Sequence, residues 1–135
     1  MLRIILIAAL LIVSGALLYA LWPTEQELEV SPLVIVELKK LRAQDKYVDE
    51  YGIIKYEERT RLEPVINGML DSLISGLPNN PRKSWAIAEM QKAVAQFYLE
   101  DTELREPSVG YIAQVIKILG IKRTNNAFAR YLIFV

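Results

Sequence analysis

The sequence contains no cysteine and no histidine. The first absence excludes disulfides and thiolate chemistry. The second removes the commonest general base and the commonest transition-metal ligand. Together they exclude Ser-His and Cys-His hydrolytic centres. The six glycines are scattered singly, so no glycine-rich phosphate loop is present. No serine lies in a Gly-x-Ser-x-Gly turn, and none is followed three residues later by lysine. Calcium loops, which alternate Asp or Asn around a glycine, are missing as well. No cofactor, metal or catalytic residue is expected.

Charge is also missing from one place. Arg3 is the only charged side chain in residues 1–23, which leaves 15 basic and 16 acidic side chains for residues 24–135. Leu2 to Trp22 supplies the roughly 20 apolar residues that span a bilayer. Tyr19 and Trp22 sit at one end, where aromatic rings favour the headgroup zone, and Pro23 stops the helix. Buried helices of globular proteins are rarely apolar on every face for this length. Residues 1–23 therefore read as a transmembrane signal anchor, with membrane contact through residues 2–22. Ser14-Gly15-Ala16 would suit signal cleavage, but cutting there would leave Leu17 to Trp22 exposed on the mature chain. The uncleaved anchor is the stronger reading, with a cleaved signal and a soluble periplasmic domain as the alternative. The positive-inside bias keeps Arg3 in the cytoplasm and puts residues 24–135 across the membrane, in the periplasm of a Gram-negative cell.

Thr24–Val30 reads as a polar tether, within a linker of residues 24–32 that leads to a domain of residues 33–135. Ser31-Pro32 offers an N-cap followed by proline at the first helical position. Val34, Leu38 and Leu41 then recur at helical spacing, up to about Lys46. Tyr47–Ile54 is ambiguous. Leu62, Val65, Ile66, Met69, Leu70, Leu73 and Ile74 form a longer stripe, with Pro64 marking either a kink or a start near Glu63. Gly76 and Pro78 read as its C-terminal glycine and stop. Ser84 is expected to cap a helix to about Glu100, buried through Ile87, Met90, Val94 and Phe97. "EDTELREPS" reads as an interruption before a helix over Ser108–Leu119, which Gly120 ends. Thr124 is placed at the start of a last short helix, and "YLIFV" could instead be a strand. The fold class is all-α: a transmembrane helix followed by a small bundle of four or five helices. Trp85, Phe97, Tyr98, Tyr111 and Phe128 are assigned to its core.

The carboxylates offer a second route to catalysis, because glycan hydrolysis can run on two acids alone. Glu57, Glu58, Glu63, Glu100, Asp101, Glu103 and Glu106 are the candidates. In "YEERTRLE" the spacings Glu57–Arg61 and Glu58–Arg61 instead suit ion pairs on a solvated helix face. Residues 107–135 hold Lys117, Lys122, Arg123 and Arg130 and no acid. They form a possible partner-binding patch, facing an acidic partner or anionic headgroups. Nucleic acid is a poor partner for an exported domain.

The stretch "INGMLDSLISGLPNNPRKSWAIAEMQKAVAQFYLEDTELREPSVGYIAQVIKILGI" resembles a family of short bacterial proteins of unassigned function with a mostly helical domain. The resemblance covers about residues 55–132 and carries no catalytic motif, so it implies a fold but no site residues. In architecture and location the chain is more loosely similar to periplasmic immunity proteins. The functional expectation is a membrane-anchored extracytoplasmic binding protein, not an enzyme, of the immunity-inhibitor kind and with a protein partner. A structural or assembly factor of the envelope is the alternative, and a carboxylate-dependent glycan hydrolase the remotest reading.

Overall fold

The computed structural model describes residues 1–21 and 25–135; the side chains of residues 2–3 and 16–24 lie outside the described set. Its α-helices are α1 (Leu2–Leu21), α2 (Pro32–Ala43), α3 (Tyr56–Gly76), α4 (Lys83–Phe97) and α5 (Thr102–Ile118), followed by a 3-10 turn at Ala129–Tyr131. The side chains described on α1, residues 4–15, are all exposed. Among the described residues no helix is long and apolar enough to cross a membrane. The span expected over residues 2–22 falls in part on side chains outside that set.

The remaining helices close a ring, with α3 packed on α2 and α4, and α5 packed on α4 and α2. Each contributes the face that its periodicity marks: Leu38 and Leu41 from α2, Leu62, Ile66, Leu70 and Leu73 from α3, Met90, Val94 and Phe97 from α4, Ile112 and Val115 from α5. Phe128 closes the core from the C-terminal segment, while Trp85, Tyr98 and Tyr111 pack around its edge. The chain is an all-helical small bundle.

Ser31 caps α2 as expected, accepting the Val34 N–H at 3.3 Å with Pro32 as the first helical residue. The helix ends at Ala43, three residues before Lys46. Pro64 neither begins α3 nor breaks it. The helix starts at Tyr56, where Glu58 reaches back to the Lys55 N–H (2.9 Å), and runs through the proline. The carbonyl that Pro64 leaves without its helical donor belongs to Thr60; both residues are exposed, so water can satisfy it. Burial of Leu62 and Ile66 on either side of the proline offsets what remains.

Gly76 is not a left-handed cap. It is the last residue of α3, and the following Leu77 is still helical at φ −56°. A Cβ at Gly76 would overlap the Trp85 indole, so close approach, not backbone conformation, requires glycine there. Gly120 does what was expected of Gly76. At φ +64° it ends α5, with its own N–H on the Lys117 carbonyl and the Ile121 N–H on the Ile116 carbonyl, a Schellman pair.

Four further expectations are corrected. Ser84 does not cap α4: Arg82 holds that position, and the orphan N–H groups are taken by the segment after residue 24. The Lys83 N–H donates to the Gln26 carbonyl (2.9 Å) and the Ser84 N–H to Glu25 Oε1 (3.1 Å). The supposed tether is therefore laid against the bundle from Glu25 onward, with the Leu28 N–H on the Pro81 carbonyl (2.7 Å) and the Leu28 side chain buried. "EDTELREPS" is helical from Thr102, because the Asp101 backbone carbonyl accepts the Leu104 and Arg105 N–H groups; Pro107 lies inside the helix and removes only the bond to the carbonyl of Glu103, an exposed residue that water can reach. "YLIFV" forms no strand; it follows the 3-10 turn through Leu132 at φ +58° and tucks Ile133 into the core.

Candidate functional site

The up-down course of α2 to α5 gives the bundle two chemically distinct ends. At the proximal end, residues 25–31, 76–84 and 118–126 meet, joined by the Leu28–Pro81 bond and by the Gln26 side-chain amide on the Gly120 carbonyl (3.2 Å). At the distal end, residues 44–61 face residues 97–105, clamped by a bidentate ion pair of Arg61 with Glu100.

The distal end carries the ambiguous stretch after α2, and its backbone is fully specified. Lys46 is completely buried; its ammonium donates to the carbonyls of Arg42 (3.1 Å) and Gln44 (2.5 Å), closing the C-terminus of α2. Desolvation holds the Lys46 pKa below its ordinary value. Tyr47, at φ +56°, turns its ring into the core against Tyr111, edge to face at 5.4 Å. The Ser108 hydroxyl donates to the Leu104 carbonyl (2.7 Å), so the Tyr47 hydroxyl is the donor in its 2.7 Å bond to Ser108. The Tyr47 N–H in turn donates to the Tyr111 hydroxyl at 2.8 Å. Burial pushes the Tyr47 phenol up to about 12.

Beyond Tyr47, the Asp49 carboxylate accepts three backbone N–H groups: Tyr51 (2.9 Å), Ile53 (3.0 Å) and Ile54 (2.8 Å). The bond from Ile54 is the chief reason its pKa lies below the usual carboxylate range. The turn so fixed holds apolar side chains out into water. Tyr51 is 84 % exposed and Tyr56 78 %, with Val48 and Ile53 also exposed. Asp45, Glu50 and Glu57 stand exposed among them. Sequence reasoning passed over this surface, although Asp49 before Gly52 carries a turn signal.

Of the seven candidate carboxylates, Glu58, Glu63 and Glu100 accept hydrogen bonds, while Glu57, Asp101, Glu103 and Glu106 make no side-chain bond among the described residues. Arg61 turns away from Glu57 and Glu58 and pairs instead with Glu100 across the distal end, which holds the Glu100 carboxyl below its ordinary pKa. Arg59 bonds Glu63 (3.2 Å) and lies 3.5 Å from Asp45. Among the described residues no three carboxylates gather as metal ligands would.

The basic quartet of the sequence is divided. Lys122 and Arg123 are exposed at the proximal end, where they share an open recess of about 300 Å³ with Glu25, Gln26 and Lys83. Lys117 is exposed in the last turn of α5. Arg130 lies elsewhere, its guanidinium 4.6 Å over the Tyr131 ring, and that ring packs on Tyr98 at the end of α4. The fold replaces Arg130 with Arg82 and Lys83, two bases 34 residues or more distant in sequence from the quartet.

No curated protein and no solved structure matches the chain. A family model does match, over residues 29–133, a stretch that takes in α2 to α5 and leaves α1 outside; the chain belongs to that family, described as Domain of unknown function (DUF4844).

Proposed function

We propose that the protein is a membrane-anchored, extracytoplasmic binding module of the immunity-inhibitor type, which meets a cationic protein partner through its distal end. One observation carries the reading: an ordered turn, braced by Asp49, Lys46 and Tyr47, that exposes Tyr51, Tyr56, Val48 and Ile53 to solvent. Exposed apolar side chains on a rigid frame are favoured as interface anchors, because little conformational entropy is lost when a partner covers them. The surrounding acids Asp45, Glu50 and Glu57 suit a partner of opposite charge. Anchoring rests on the apolar length of residues 2–22 and on Arg3, which the positive-inside bias keeps in the cytoplasm.

The same reading makes the chain a binder and not an enzyme. A general acid needs a raised carboxyl pKa, whereas Glu100, the candidate carboxyl paired with Arg61, is lowered by that bond. Inhibition would need only a complementary surface laid over an enzyme's cleft. The test is purification of the full chain from native membranes in mild detergent, beside a Tyr51→Ala/Tyr56→Ala variant. A stoichiometric protein partner that the variant loses, and whose activity the unmodified chain suppresses, is expected. A partner retained in full by the variant would overturn the reading. Envelope defects in a deletion strain that meets no toxin would favour an assembly role instead.

A further inference from the structure

We infer that the proximal end of the bundle is a seat for anionic lipid headgroups, built by Lys83, Lys122 and Arg123. The inference rests on the anchored reading above and adds to it which surface faces the membrane. Covalent reach supplies the first argument. Four Cα–Cα steps separate Leu21 from Glu25, so whatever path residues 22–24 take, Glu25 lies within roughly 14 Å of the end of α1. Glu25 and Gln26 line the recess that holds Lys83, Lys122 and Arg123. A bilayer containing α1 would therefore hold Glu25, which shares the recess with these three bases, within about two Debye lengths of the end of α1 at physiological salt.

Charge supplies the second argument. Elsewhere on the bundle Arg42, Arg59, Arg61, Lys40 and Lys92 each have a carboxylate within 4 Å. Arg82, Lys83, Lys122 and Arg123 form no such pair among the described residues, and neither do Lys39, Lys55, Arg105, Lys117 and Arg130; what sets the first four apart is that they share the proximal end. Glu25, the one acid of the recess, is occupied by the Ser84 N–H. Glu25, Glu27 and Glu29, exposed on the same segment, and the Val135 carboxylate, which lines a second recess with Lys122 and Arg123, are the counter-charges against these four bases and Lys117, one fewer than the five bases. Lys83 adds a geometric sign of its own. It is only 7 % exposed yet still lines the recess, as a lysine does when its stem is buried and its ammonium reaches outward. Each base near an anionic surface favours contact by about five-fold. Three together suffice to choose one end of the bundle over the other, because the distal end is rich in acids.

The sequence has no cysteine, so single cysteines give unique labels. The full chain, with a fluorophore on Ser84→Cys or on Tyr51→Cys, is reconstituted into vesicles of phosphatidylcholine alone or mixed with phosphatidylglycerol, each bearing a headgroup-linked quencher. In the mixed vesicles the label at residue 84 should be quenched several-fold more than the label at residue 51. The exposed double substitution Lys122→Glu/Arg123→Glu should bring residue 84 down to the level of residue 51, with the helical circular dichroism unchanged. Equal quenching of the two labels, equal quenching in neutral vesicles, or indifference to the double substitution would each overturn the headgroup seat while the anchor stands. A chain that washes off both vesicle types at alkaline pH would sink the anchored reading itself.

Discussion

At the scale of single residues, the least replaceable positions are those where two distant parts of the chain touch. Gly76 is one. In an ordinary helix interior, Gly→Ala stabilises by up to about 1 kcal/mol. Here the new methyl meets the Trp85 ring, so Gly76→Ala should instead destabilise by roughly 1–3 kcal/mol. A lower denaturation midpoint for Gly76→Ala checks the sign; a higher one would mean the indole moves aside freely. Tyr47 is another such position. Its folded-state phenol titrates near 12, against about 10 when unfolded, so the stability it contributes is complete below pH 10 and lost as pH rises towards 12. The loss amounts to about 2–3 kcal/mol. Tyr47→Phe should flatten that part of the alkaline stability profile, at a cost near neutral pH of about 1 kcal/mol for the lost hydrogen bond. Ser108→Ala should cost more, about 1–3 kcal/mol, since it leaves the buried Tyr47 hydroxyl without an acceptor.

At the scale of elements, the stretch between α2 and α3 works as one unit. Asp49 draws in three N–H groups, Lys46 two carbonyls, and Tyr47 ties both to α5. Replacing the carboxylate by an amide puts a donor where an acceptor stood. Asp49→Asn should therefore speed amide hydrogen exchange at Tyr51, Ile53 and Ile54 by an order of magnitude or more, while α3 and α4 keep their protection. Partner affinity should fall in the same variant even though Tyr51 and Tyr56 remain, because the loop must then be ordered on binding. Unchanged exchange at those three amides would show that the turn holds without Asp49. The Asp49 pKa is lowered, so its stabilisation is present above the ordinary carboxylate range and is lost as pH falls below about 4.

At the scale of the whole molecule, the bundle is electrically polarised along its axis. Arg82, Lys83, Lys117, Lys122 and Arg123 outnumber Glu25, Glu27 and Glu29 at the end nearest α1. Asp45, Glu50, Glu57, Glu100 and Asp101 gather at the other, about 30 Å away, the length of the 21-residue α3. Two sets of charge reversals should then separate two functions. Lys122→Glu/Arg123→Glu should disturb seating on anionic vesicles and leave partner affinity within about two-fold. Asp45→Lys/Glu57→Lys should weaken the partner by ten-fold or more, mainly by slowing association at low salt, and leave seating unchanged. Vesicle quenching and surface-immobilised binding of the same two variants check both halves.

Much of this was already legible along the chain. The all-α class, the faces of α2 to α5 and the stop at Gly120 follow from local periodicity and capping, because an amphipathic helix writes its buried face at every third or fourth residue; the helical family was legible as a resemblance of the stretch from Ile66 to Ile121. Where that reading failed, a distant contact had overruled a local rule. Gly76 answers to Trp85; Ser84 yields its capping role to a segment almost sixty residues upstream; Arg61 prefers Glu100 to its own neighbours. The basic patch shows the same division. Composition alone found Lys117, Lys122 and Arg123, but only the up-down packing of the helices could exclude Arg130 and bring in Arg82 and Lys83. Charge adds up in space, and neighbours in space are set by the tertiary fold.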